Sequence, residues 1–119
     1  MKKILFILIL IQISCKPSDL GRNNCNENLK FKEAFFHHIR YIDNNITVLQ
    51  DSTFIKSVIF ISNYAPVSTD ELMNYSRTYP TGIFQQDRKK WVEWYDENKC
   101  KNIQFKETYV IPEAYMNHN

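Results

Sequence analysis

The sequence predicts a mainly α-helical fold, a small single-domain helical bundle with an extended C-terminal segment. Three patterns support this prediction. Apolar residues recur every three or four positions over residues 29–49, which is the period of one helical face. Two tryptophans and a tyrosine are spaced i, i+3 and i+4 over residues 91–95. After Cys100, apolar and polar residues alternate, which is the period of an extended chain.

The elements follow in order from their caps and periods. The first helix is predicted over residues 29–49, with either a kink or a break at residues 43–45, where Asp-Asn-Asn are poor helix formers. Asp51 caps a second helix that ends near Tyr64, in a segment that by propensity alone could form a strand. The apolar face of the first helix comprises Phe31, Phe35, Ile39, Ile42, Ile46 and Leu49.

The second half of the chain is predicted to hold two more helices and an extended end. Ser68 and Glu71 match a capping box, which predicts a short helix to about Arg77. Residues 79–82 are predicted as a turn, and the last helix as residues 87–98. In the extended segment, four apolar residues occupy odd-numbered positions, so their side chains are expected on one side of the chain: Ile103, Phe105, Tyr109 and Ile111.

The first residues of the chain carry a targeting pattern. Two lysines precede an unbroken apolar run from Ile4 to Ile11, and Ile13-Ser14-Cys15 follows soon after. The run is too short to span a bilayer, since a spanning helix needs about 20 apolar residues. A positive start and a short apolar run are typical of a secretory signal peptide. The ending at Cys15 resembles the lipobox of bacterial lipoproteins, although Gln12 stands where the lipobox usually has leucine.

This resemblance implies that Cys15 becomes the mature N-terminus and carries a lipid, with palmitate among its acyl chains. The lipid would anchor the protein to a membrane of the bacterial cell envelope. Stable anchoring takes at least two acyl chains, which a diacylglyceryl group supplies. The alternative is an ordinary signal peptide cut next to Cys15, which then remains a plain thiol. The expected organisation is a lipoprotein signal peptide over residues 1–14, a lipid-anchored tether over 15–28, a helical domain over 29–112 and a frayed tail over 113–119.

The three cysteines fit the same interpretation. If Cys15 carries lipid, Cys25 and Cys100 remain, and an even pair in an exported protein predicts a disulfide. The chain-entropy model gives such a bridge about 4.5 kcal/mol, because the loop that it closes is long. Metal binding by the two thiols is the alternative, but neither has a nearby Cys or His at ligand spacing.

The net charge limits the classes of partner that the protein is expected to bind. Removing Lys2 and Lys3 with the leader leaves 13 of the 15 basic residues against 13 acidic ones, so the mature chain has no net charge. We therefore expect no nucleic-acid partner and no electrostatic attraction to an anionic membrane surface. The expected partners are the membrane, through the lipid, and a protein of the cell envelope.

The last predicted helix carries a second resemblance. Residues 87–99 read D-x-x-x-W-x-x-W-Y-x-x-N-K and follow Tyr79-Pro80. This pattern resembles the closing segment of a group of small uncharacterised bacterial lipoproteins, and its W-x-x-W-x-x-x-N ending is similar to that of HEAT-like helical modules. The resemblance implies a unit of packed helices, and it implies no enzymatic activity.

The same helix supplies the candidate binding surface. Its aromatic face either fills the core, which we favour, or forms an exposed shelf for sugar or peptide ligands. Three basic residues fall in the first turn of the predicted helix and oppose the helix dipole, so they are either solvated or face an anion. The residues of this surface are Trp91, Trp94, Tyr95, Arg88, Lys89 and Lys90.

The sequence predicts no catalytic residue, metal site or cofactor. The adjacent residues His37 and His38 point about 100° apart on a helix and cannot easily share a metal ion. Gly21 and Gly82 are the only glycines, which excludes a G-x-S-x-G elbow and a phosphate-binding loop. We expect a membrane-anchored, non-enzymatic binding or structural module. The alternatives are an inhibitor or immunity-type protein with one specific partner, and an envelope hydrolase that uses acidic residues.

Overall fold

Helices form the regular structure of the chain. The computed structural model describes residues 25–74 and 76–116. Across these residues it contains no β-strand and a single isolated parallel bridge, between Asn26 and Lys101. The predicted mainly α-helical fold is therefore confirmed. In chain order the helices are α1 (Leu29–Asn44), α2 (Ser52–Ser62), α3 (Thr69–Leu72), α4 (Thr81–Asn98) and α5 (Glu113–Met116).

Helix α1 begins at the predicted residue and ends at the predicted break. The side chain of Asn28 accepts a hydrogen bond of 3.1 Å from the Phe31 N–H, which satisfies one of the free donors of the first turn. Asn45 is the C-cap, so the helix stops short of Leu49, whose side chain is 70 % exposed. The buried face consists of the first four predicted residues, Phe31, Phe35, Ile39 and Ile42, whereas the prediction that the face continues to Ile46 and Leu49 is wrong because both lie beyond the end of the helix.

Helix α2 confirms the choice of helix over strand. The Asp51 carboxylate accepts a hydrogen bond of 2.7 Å from the Phe54 N–H and fixes the start of the helix. Helices α1 and α2 pack against each other. The rings of Phe31 and Phe60 lie 6.1 Å apart between centroids, at the centre of this contact. Burial of large aromatic and aliphatic side chains on both helices supplies the main driving force for folding.

The segment between α2 and α4 differs from the prediction. Helix α3 has four residues, and the Ser68 side chain does not cap it. Instead, the Ser68 hydroxyl donates to Asp87 Oδ1 at 2.8 Å, and the Ser68 N–H donates to Asp87 Oδ2 at 2.9 Å. Helix α4 begins at Thr81 rather than Asp87, so the predicted turn at residues 79–82 is wrong in its second half. The residue before α4 is Pro80, whose fixed φ is compatible with the start of a helix.

Asp87 is a buried carboxylate that joins this segment to α4. Its side chain is 2 % exposed, and the Tyr79 hydroxyl donates a third hydrogen bond to it. Burial, together with the hydrogen bond to Asp87, raises the pKa of Tyr79 above its usual range and keeps the phenol a donor. One turn further along α4, the Trp91 indole N–H donates to the Pro66 carbonyl at 2.7 Å. These contacts fix the path of residues 66–79, because a buried carboxylate is costly unless donors surround it.

Residues 25–28 belong to the folded domain and not to the tether. Cys25 and Cys100 lie at disulfide-bonding distance, with Cα atoms 4.3 Å apart, which confirms the predicted pair. The Tyr95 hydroxyl donates to the Glu27 carboxylate. The Asn28 side chain donates to the Ile103 carbonyl at 2.7 Å while it caps α1. The predicted boundary after residue 28 is therefore wrong, since the residues from Cys25 onward contact α4 and the chain beyond it.

The chain beyond the disulfide is extended, as predicted. Asn102 adopts a left-handed conformation with φ of 49°, which asparagine tolerates better than most residues, and turns the chain away from α4. Residues 102–112 then run without helix or strand. The predicted frayed tail is wrong for Glu113–Met116, which form α5, because the Tyr115 ring packs against the core. Residues 117–119 lie outside the described part of the chain.

Reduction of the disulfide is expected to destabilise the domain strongly. The bridge closes a loop with a sequence separation of 75, for which the chain-entropy model gives about 4.5 kcal/mol. For a domain of this size, we expect a reductant to lower the melting temperature by about 15–25 °C in calorimetry. A variant with Cys25→Ser and Cys100→Ser should melt at the lower temperature with or without reductant. Equal melting temperatures for the oxidised and reduced wild type would contradict the bridge.

Removal of the Asp87 carboxylate is expected to cost about 2–4 kcal/mol in the free energy of unfolding, because Asp87→Ala leaves the buried Tyr79 hydroxyl and two partly buried donors of Ser68 without their acceptor. Denaturant titration measures this loss. Asp96→Ala is the matched control on the same helix, where an exposed carboxylate lies 3.7 Å from Lys99. We expect that change to stay within about 0.5 kcal/mol of the wild type. Similar losses in the two variants would show that the buried hydrogen bonds contribute little.

Candidate functional site

A groove lies between α1, α2 and the extended segment that follows the disulfide. Its volume is about 480 Å³, within the range of about 300–1,000 Å³ that is common for small-molecule sites. Residues of all three elements contribute to its surface, so it exists only in the folded chain. The lining residues are Ala34, His38, Lys56, Ile59, Phe60, Phe105 and Tyr109.

The helical periods of α1 and α2 place five side chains in this groove. Ala34 and His38 are four residues apart on α1 and therefore share a face, next to the buried face that fills the core. Lys56, Ile59 and Phe60 have the spacing i, i+3 and i+4 on α2. Phe60 is 7 % exposed and belongs to the core, so it connects the groove to the packed interior.

The extended segment forms the opposite wall through Phe105 and Tyr109. The chain bends at residues 107–108, between these two residues, and both rings nevertheless face Phe60. Their rings lie 6.4 Å and 5.7 Å from the Phe60 ring between centroids. Phe105 is 44 % exposed and Tyr109 is 41 % exposed. The wall therefore contacts α2 with part of each ring and leaves the rest open to a ligand.

Polar contacts with the end of α2 hold this wall in place. The Asn63 side chain donates to the Val110 carbonyl at 3.0 Å and accepts from the Val110 N–H at 2.8 Å. The Tyr64 hydroxyl accepts from the Lys106 N–H at 2.9 Å, and the Lys106 ammonium lies 5.3 Å above the Tyr64 ring. The disulfide at Cys100 anchors the other end of the segment.

The electrostatics of the groove are simple. The His38 ring stacks on Phe60 with centroids 4.2 Å apart, and its Nδ1 lies 2.9 Å from the Ser57 hydroxyl. Burial, and then the neighbouring His37, lower the pKa of His38 to about 4, so the ring is neutral at pH 7. Lys56 is thus the one lining residue that carries a charge at neutral pH, and its side chain is exposed.

The aromatic face of α4 lies largely in the core, which is the interpretation that we favoured. Trp91 is 0 % exposed and Tyr95 is 2 % exposed, so neither is available to an external ligand. Trp94 is partly buried, and its ring lies 5.4 Å from that of Phe35 between centroids. An exposed shelf of all three rings is therefore wrong.

The basic residues of α4 do not lie in its first turn. Since the helix begins at Thr81, Arg88, Lys89 and Lys90 occupy its middle, on the exposed surface. Lys89 lies 4.0 Å from Glu93, an i, i+4 ion pair at the surface. The proposed conflict with the helix dipole does not exist, because the dipole acts mainly within the terminal turns.

The sequence did not point to the groove, although two of its signals were visible. The alternation after Cys100 placed Phe105 and Tyr109 on one side, but not against which helix they pack. His38 lies three residues after Phe35 and four before Ile42, so the helical period of α1 places it beside the predicted apolar face. No group of three or more potential metal ligands occurs within the described ranges, His37 and His38 included. Cys15 lies outside these ranges.

In comparisons with known proteins, no family model, no curated protein and no solved structure matches the chain. Over residues 25–74 and 76–116, none of the helices has the length and apolar character that crossing a membrane requires.

Acidification is expected to destabilise the fold through His38. The unfolded chain has a histidine pKa of about 6.5, whereas folding lowers the pKa of His38 to about 4. As the pH falls, the unfolded chain binds the proton first, so the stability due to neutral His38 is complete above about pH 6.5 and is lost towards pH 4.

Denaturant titrations between pH 7 and pH 5, above most of the carboxylate range, test this expectation. His38→Gln should flatten the decrease in unfolding free energy that the wild type shows over this interval. His37→Gln, a change of the exposed neighbour, should leave most of that decrease in place. An equally steep decrease in the His38→Gln variant would assign the acid sensitivity to other groups.

Proposed function

We propose that this protein is a lipoprotein of the bacterial cell envelope, anchored to a membrane through a lipid on Cys15, and that it works there as a non-enzymatic binding module. The pairing of Cys25 with Cys100 carries this proposal. It uses two of the three cysteines and leaves Cys15 for lipidation. Disulfides persist in oxidising compartments, which agrees with export by the N-terminal targeting pattern.

The length of the connection between lipid and domain supports a location close to the membrane surface. Ten residue steps separate Cys15 from Cys25, the first residue that the structure describes. A fully extended chain of that length reaches about 35 Å at most. The connecting residues are mainly polar and include Pro17 and Gly21, a composition that is typical of tethers.

The groove supports binding rather than chemistry as the role of the domain. Its lining consists of apolar and aromatic side chains, a neutral histidine and one lysine. Sites of this composition hold the apolar part of a ligand and orient it by a few polar groups. The aromatic side chains on the wall are partly exposed in the free protein and supply the contact area that a partner would cover.

The anchor is tested by Cys15→Ala. We expect this variant to move from the membrane fraction to the soluble fraction of fractionated cells, because no acyl chain remains to partition into the bilayer. Mass spectrometry of the wild type should show a chain that begins at Cys15 and carries the acyl groups. Cys25→Ala with Cys100→Ala is the matched control and should remain membrane-bound. Retention of the Cys15→Ala variant in washed membranes would contradict lipid anchoring.

A further inference from the structure

The lining of the groove defines the chemistry of what it would bind. Ala34, Ile59, Phe60 and Phe105 present carbon surface, whereas Lys56 is the single charged group on its rim. Lys56 forms no ion pair within residues 25–74 and 76–116, and the same holds for Lys30 and Lys90, so what distinguishes Lys56 is its place on the groove. A complementary ligand therefore has an apolar body and one anionic end.

The orientation of the rings distinguishes a flexible chain from a flat aromatic body. The planes of Phe60 and Phe105 are tilted by 53°, and those of Phe60 and Tyr109 by 58°. A flat ring would need two nearly parallel faces for stacking on both sides, and these planes do not offer them. The rings of Phe105 and Tyr109 already contact Phe60, so a ligand lies along their open sides and not between them and Phe60. A flexible hydrocarbon chain follows such tilted surfaces better than a flat ring does, which favours an acyl chain.

We propose that the groove is a binding site for a single-chain aliphatic carboxylate, a fatty acid whose chain lies along the open apolar floor and the exposed sides of Phe105 and Tyr109 and whose carboxylate pairs with Lys56. The proposal rests on the binding role of the groove proposed above, and it does not depend on lipid anchoring at Cys15. The site is largely formed without ligand, because Asn63 and the disulfide hold the wall at its two ends. Such preorganisation reduces the ordering cost of binding.

Calorimetric titration of the full chain carrying Cys15→Ser with octanoate, decanoate and dodecanoate, each as a monomer in solution, tests the proposal. This chain carries no lipid of its own that could occupy the groove. We expect the dissociation constant to fall by about fourfold per buried methylene, hence about 15-fold for each two-carbon step, until the chain outgrows the groove. The methyl signals of Ala34 and Ile59 should shift on binding in NMR spectra.

Two variants and two ligands separate the contributions of the charge and the chain. Lys56→Gln should weaken decanoate binding by about two- to fivefold, as expected for an exposed ion pair, and leave decanol binding unchanged. Lys90→Gln, an exposed lysine on α4 away from the groove, is the matched control and should bind like the parent chain. Ala34→Trp should abolish binding by filling the groove, and its melting temperature reports whether it still folds.

Several results would overturn the proposal. They are an affinity without dependence on chain length, equal weakening of decanoate binding by Lys56→Gln and Lys90→Gln, and tighter binding of the flat 2-naphthoate than of decanoate. These outcomes are distinguishable from failure of the anchor, since they concern the lipid-free chain in solution, whereas the anchor is measured by fractionation of the wild type. A protein that fractionates with membranes but binds no fatty acid would retain the anchor and lose this site.

Discussion

The path of the chain through the second half of the domain depends on the buried carboxylate of Asp87. Three donors converge on it, two from Ser68 and one from Tyr79. A carboxylate that is 2 % exposed without such donors would cost several kcal/mol, so the residues that supply them cannot move independently of α4. The hydrogen bond from Trp91 to the Pro66 carbonyl adds a second fixed point one turn away. Together these contacts attach the segment after α2 to α4 and close the core.

The extended segment is held by a different set of contacts, all of which join residues far apart in sequence. The disulfide fixes Cys100 to Cys25, Asn28 binds the Ile103 carbonyl, and Asn63 binds both polar groups of Val110. None of these contacts belongs to a sheet, which explains why a segment with strand-like alternation remains irregular. The segment has no partner strand, and its apolar side chains pack instead on aromatic residues of α1 and α2.

The sequence predicted the parts of the fold that local physics determines. The period of α1, its break at residues 43–45 and the Asp51 cap of α2 depend on neighbours within one or two turns, and all agree with the structure. The capping box at Ser68 failed because a tertiary partner, Asp87, competes for the same hydroxyl. The start of α4 was missed because Pro80 and Gly82 indicate a turn when considered locally, whereas packing of Phe84 in the core favours extending the helix. The groove could not be predicted, since it requires knowing which helix Phe105 and Tyr109 face.

The aromatic side chains that are available to a ligand are Phe105 and Tyr109 of the extended segment, and not the tryptophan Trp91 of α4. Tryptophans at helical spacing suggest a binding surface, yet Trp91 is the largest fully buried side chain and donates its one polar hydrogen inside the protein. Phe105 and Tyr109 stand on a segment that the covalent bridge, a few side-chain hydrogen bonds and packing on one side position, and their rings remain partly uncovered on the other side. In the proposed envelope setting, oxidation of Cys25 and Cys100 would thus do more than raise stability. It would set the wall against which a ligand packs, because the bridge is the covalent cross-link that ties the beginning of that segment to the start of the domain. Without it, the hydrogen bonds from Asn28 and Asn63 and the packing of Phe105 and Tyr109 would remain.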